Sequence, residues 1–152
     1  MANSQAMCTS FKVDILNGLH ALGASVIRAA TTKDSFKAAL YLASGSLGAA
    51  TAAYSATSEV SGTNYTAGGV AVTTASAPSA SGTSAIFTPS ASIVYTNVTL
   101  ATAFDCVLIY NDTAAGKNAV SVHTFGSQTI TAGTLTLTMP ANAVGTALIQ
   151  IT

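Results

Sequence analysis

From residue 35 onward the chain is a succession of short runs in which apolar residues alternate with small or hydroxyl ones. Each run is broken off by Gly, Pro, Asn or Ser. A period of two buries one face of a strand, whereas an amphipathic helix needs a period near 3.6. In the first run Phe36, Ala38, Leu40 and Leu42 fall on one side and Lys37, Ala39 and Tyr41 on the other. Val70 and Val72 repeat the pattern against Ala71 and Thr73. Residues 85–88, 92–96, 98–102, 104–110, 119–125, 135–138 and 148–151 are further strand candidates. FDCVLIY at 104–110 is dense enough for a central strand, and Pro140 stops the run at 135–138. Residues 74–83 read as a linker or hairpin tip, and residues 126–133 as another connection. About eight or nine short strands with such turns predict a mainly β single domain, an antiparallel β-sandwich or jelly roll.

Ahead of the strands, residues 1–9 read as an extended polar arm on a single domain spanning 10–152. Deleting the arm is expected to leave the domain folded. Ser10 fits a helix N-cap, and Phe11, Ile15, Leu19 and Leu22 make one apolar stripe, so a helix is expected over 11–22, with Gly23 as its stop. The alanine-rich residues 47–56 admit either a helical turn or a strand. A turn cassette follows, in which Asn64, Gly68 and Gly69 accept the positive φ that tight loops require. The uncharged run at 38–54 is near the lower length limit of a spanning helix. It carries Ser44, Gly45, Ser46, Gly48 and Thr51 and is mostly Ala, which favours a soluble core segment over a membrane span.

Charge narrows the function classes. Charged residues are 7% of the chain and balance to zero, against roughly 25% in an average soluble domain. Clustered Lys and Arg for phosphate contact are missing, so no nucleic-acid partner is expected. A weakly charged surface favours association. Cys8 and Cys106 are far apart and form no metal-ligand spacing, so two free buried thiols are expected and no cofactor or metal. MANSQAMCTSFK has no basic stretch followed by an apolar one, and no secretion signal is expected. His20 and His123 are the only histidines, and no carboxylate is spaced to partner either. Structural roles outweigh catalytic ones, and no enzyme is expected. Asp14 with Lys12 and Asp34 with Lys33 read as solvated surface pairs. Tyr54 and Tyr65, in the turn-rich segment, are candidate interface anchors.

CTSFKVDILNGLH (8–20), SFKAALYLASGSLGAATAAYSATSEVSGTNYTAGG (35–69), VLIYND (107–112) and AVSVHTFGS (119–127) together resemble a family of small tailed-bacteriophage virion structural proteins. The resemblance covers most of the chain in order and contains no chemical motif. The cassette departs from the family in having Asn64 before Tyr65 where Gly is usual. The chain also has no tryptophan, and Tyr95 stands in the mid-chain strand where one is common. The resemblance implies a non-enzymatic component of the virion, assembled in the host bacterial cytoplasm. As a capsid decoration or cement protein it would contact the major capsid protein or other virion proteins. It would form a symmetric homo-oligomer, with a trimer expected. A tail, neck or fibre-base component is the alternative, and a carbohydrate-binding β-sandwich a more remote one. The expected contact residues are Met1, Ala2, Asn3, Ser4 and Gln5 of the arm, with Tyr54, Asn64, Tyr65, Gly68 and Gly69 of the cassette.

Overall fold

The computed structural model describes residues 2–8, 10, 11, 15, 19–22, 33–75, 78–81 and 84–152. The chain is mainly β, in two antiparallel sheets. The strands in chain order are β1 (Ala6–Met7), β2 (Phe36–Leu42), β3 (Val70–Val72), β4 (Ser79–Ser81), β5 (Ser84–Phe87), β6 (Ile93–Asn111), β7 (Ala119–Leu137) and β8 (Ile149–Ile151). The larger sheet has the order β1-β7-β6-β2-β3 and the smaller one β4-β5-β8.

The three runs expected at 92–96, 98–102 and 104–110 are one strand, β6. Likewise the runs at 119–125 and 135–138, with the expected connection between them, are one strand, β7. What reads as turn chemistry works here as bulges. The β6–β7 ladder changes register five times, and Asn97 and Ala132 take φ of 52° and 45° at its irregular part. A bulge inserts an unpaired residue and bends the strand without ending it. The bend is large: Ile93 from the start of β6 lines the same cavity as Val107 and Ile109 from its end. In a straight strand Ile93 and Ile109 would lie about 50 Å apart. The hairpin therefore folds back over the larger sheet.

The alternation in β2 sorts the larger sheet into two faces. Ala38, Leu40, Val107 and Ile109 are paired in register on one face, and Tyr41 pairs with Cys106 on the other. All six side chains are buried, Leu40 completely. The long uncharged segment after β2 is neither helix nor named strand. It is a chain of turns tied down by Tyr54 N–H to Lys117 O (2.9 Å), Leu42 N–H to Ser58 O (2.9 Å) and Val60 N–H to Leu40 O (3.1 Å). Among the described residues no helix is long and apolar enough to cross a membrane.

The helix expected over 11–22 is not borne out. Ser10, Phe11 and Ile15 are helical, but Leu19 to Leu22 are not; residues 12–14, 16–18 and Gly23 lie outside the described residues. Phe11 and His20 have ring centroids 4.9 Å apart, whereas a continuous helix would separate them by about 13 Å along its axis. Phe11 is fully buried, Ile15 and Leu22 pack on the core, and Leu19 is 37% exposed. Asp34 is also not the solvated partner expected of it. It is buried and accepts from Ala21 N–H (2.9 Å) and Asn111 Nδ2 (2.9 Å). Lys12 and Asp14 lie outside the described residues.

Candidate functional site

Five tyrosines, all the chain has, converge on β2 and the cassette. Tyr41 donates to Ser55 O (2.6 Å), Tyr95 to Ala38 O (2.7 Å) and Tyr110 to Gly68 O (2.9 Å). Tyr54 and Tyr65 both donate to the Glu59 carboxylate at 2.7 Å, on different oxygens. Gly68 N–H adds a third donor to Glu59 Oε1 at 2.7 Å. The Tyr54 ring stacks on Tyr110 with centroids 4.7 Å apart, and Tyr65 on Tyr95 at 6.0 Å. Burial, followed by the bond to Glu59, pushes both Tyr54 and Tyr65 hydroxyls well above the usual phenol range. These two rings are half-buried and bonded within their own chain, so the cassette offers a partner mainly its exposed tip.

That tip includes Asn64, exposed at φ 59°, with its Nδ2 bonded to Asn97 O at 2.8 Å. Gly68 and Gly69 have the expected positive φ, 88° and 75°, but are buried and present no surface. A Cβ on Gly69 would lie 1.7 Å from Ala38 O. Glycine lets the cassette close against β2 there. Tyr95 is 1% exposed and fixed to β2 through its hydroxyl.

The arm is extended but lies on its own domain. Asn3 Nδ2 donates to Leu42 O (3.0 Å) and Asp105 Oδ1 (2.6 Å), while its Oδ1 accepts from Leu47 N–H (2.8 Å). Ser4 N–H bonds Leu47 O (2.8 Å), β1 pairs with Ser121 and Val122 of β7, and Cys8 N–H reaches Val120 O (3.3 Å). The arm is thus hydrogen-bonded along most of its length to its own domain. Ala2, Ser4 and Gln5 are exposed, Asn3 is half-buried, and Met1 lies outside the described residues.

A cavity of about 440 Å³ opens between the larger sheet and the segment after β7. Ile109, Phe125, Leu137 and Leu148 are among its lining, with His123 and Gln5 as polar members. His123 Nε2 is 2.9 Å from Ser121 Oγ, two residues away on the same strand face. Burial pushes the imidazole down to about 4, so it is neutral at physiological pH. A serine beside a neutral histidine has the composition of a nucleophile and base, but Ser121 is only 2% exposed and its hydroxyl is sealed from substrate. The cysteines are free and buried, and burial raises Cys8 to about 11 and Cys106 to about 12, leaving both as thiols. Among the described residues no three His, Cys, Asp or Glu gather into a metal site.

The sequence patterns do not announce how charge is laid out on this fold. Residues 60–104 and 118–152 contain no Asp, Glu, Lys or Arg. They build β3, β4, β5, β7, β8 and the first part of β6. Among the described residues the charged groups are Lys33, Asp34 and Lys37 at the start of β2, Glu59 of the cassette, Asp105 on β6, and Asp112 and Lys117, where Lys37 and Lys117 both pair with Asp112, the former at 3.2 Å. The hydrogen bond from Lys117 holds the Asp112 carboxyl below the usual range. The hairpin bend and the layer folded over the sheet are thus uncharged. No family model, curated protein or solved structure matches this chain.

Proposed function

We propose that this chain is a non-enzymatic structural protein of a tailed-bacteriophage virion, a capsid decoration or cement subunit that stabilises the head shell through protein–protein contacts. The observation that carries this reading is the segregation of charge. The described ion pairs lie around Asp112, and residues 60–104 and 118–152, which build the bend and the overlying layer, contain no Asp, Glu, Lys or Arg. Interface cores are depleted in charge in the same way. The resemblance at 8–20, 35–69, 107–112 and 119–127 supplies the virion context. A hairpin folded back over its own sheet supports a β-sandwich of jelly-roll-like form. That is a rigid plate suited to lying on a shell, with the major capsid protein or other virion proteins as partners.

Quantitative mass spectrometry of purified particles tests the reading, with a cryo-EM map to locate the density. A copy number comparable to that of the shell protein is expected. A copy number matching a single ring moves the subunit to the tail, neck or fibre base, and absence from the particle overturns the virion assignment.

A further inference from the structure

Among the described strands, the outer edge of β7 is unpaired along most of its length. β1 pairs only with Ser121 and Val122, and Cys8 extends the contact to Val120. Beyond that, among the described strands, none pairs with β7 on the side away from β6. Gly126, Ser127, Thr129, Thr131 and Ala132 are exposed. Ala132, at φ 45°, ends the extended backbone, so residues 127–131 form the usable run. Proteins protect such an edge with lysine, proline, an inward charge or a covering element. Residues 127–131, SQTIT, have no charge and no proline. The bulges twist the ladder here, and among the described strands none covers this run.

The occupant follows from charge. Residues 118–152 offer no Asp, Glu, Lys or Arg to meet a partner's ionised groups, and the nearest carboxylate across the ladder, Asp105 beside Phe104, already accepts from Asn3 Nδ2 at 2.6 Å. A second copy brings the same uncharged surface. Antiparallel pairing of one strand with itself about a two-fold axis at Thr129 sets Ser127 opposite Thr131, Gln128 opposite Ile130 and Thr129 opposite its own copy, with no like-charge contact. Three of the four exposed large hydrophobics among the described residues, Val94, Val144 and Ile151, lie in the same uncharged segments.

We propose that residues 127–131 of β7 are a self-association site, pairing antiparallel with the same strand of a second copy. The proposal rests on reading the chain as an assembly subunit and names its nearest partner.

The test is sedimentation equilibrium and light scattering on the purified full chain, wild type against Ser127→Lys/Thr129→Lys, with Ala115→Lys on the charged loop as control. Wild type and control should form a dimer or a higher species built from it. The double variant should dissociate at least tenfold more readily, with unchanged circular dichroism and thermal midpoint. Should the double variant lose its spectrum, Thr129→Lys alone takes its place. A wild type that is monomeric at every accessible concentration overturns the proposal, as does undiminished association of the folded lysine variant. Monomeric protein that is nonetheless abundant in particles sinks self-association and leaves the virion reading standing. A lysine-sensitive dimer absent from particles does the reverse.

Discussion

At residue 59 one carboxylate holds three donors: the hydroxyls of Tyr54 and Tyr65 and the N–H of Gly68. Bonds to an ionised acceptor are worth more than neutral ones, about 1.5–3 kcal/mol each against about 1. Glu59→Ala orphans all three and should lower unfolding free energy by about 3 kcal/mol. Glu59→Gln keeps one carbonyl oxygen for Tyr65 and Gly68 and should lose about 1 kcal/mol. Urea titrations followed by tyrosine near-ultraviolet dichroism would show it, and equal losses would remove the carboxylate from this role. Gly69 gives a second test. Gly69→Ala drives a Cβ to 1.7 Å from Ala38 O at φ 75°, so loss of soluble folded protein is expected. Gly126→Ala, which meets nothing within 4 Å, should change stability by less than about 1 kcal/mol. The conformations of Asn64, Gly68 and Gly69 were legible in the sequence because left-handed backbone is a local demand on residue type. The grip of Glu59 was not, because two of its three donors depend on how the cassette folds over β2.

At the scale of elements, β2 and the dense run at 104–110 are read directly from alternation and burial. The N-terminal segment and the two long strands are where local reading parts from the fold. Asn3 looks like arm filler, yet it joins Leu42, Leu47 and Asp105, all distant in sequence. Asn3→Ala should cost about 2 kcal/mol, and removal of residues 1–8 should cost more by stripping β1 from β7 and uncovering the core around buried Cys8. A truncated chain with the wild-type thermal midpoint would show that the arm is only an appendage. The helix expected from Phe11 to Leu22 had a sound apolar stripe. The structure instead brings His20 against Phe11 and, at 3.1 Å, against Asn111, contacts that spacing along the chain does not encode. In β6 and β7, Asn and Gly carry the same local signal whether they make a turn or a bulge. Only the partner strand decides which.

For the molecule as a whole, the cavity under the segment after β7 predicts acid sensitivity. Burial depresses His123 to about 4 in the folded state from its ordinary value of 6.5. Between these values the unfolded chain binds more protons than the folded one. Stability from the neutral imidazole is therefore complete above pH 6.5 and is lost as pH falls toward 4, up to about 3 kcal/mol. His123→Gln should flatten that part of the profile, measured by urea unfolding at pH 4.5 and 7. An unchanged slope would place the titrating group elsewhere. The sequence by itself determined the β class, the positive-φ positions of the cassette and the poverty of charge. Period, backbone permission and composition are properties of neighbouring residues or of the whole list. Only the tertiary structure decided that the hairpin bends over its own sheet, that the arm closes part of one edge and that no other described strand pairs with that edge of β7. Those outcomes depend on which residues far apart in the chain reach hydrogen-bond distance, and alternation alone is satisfied by many such pairings.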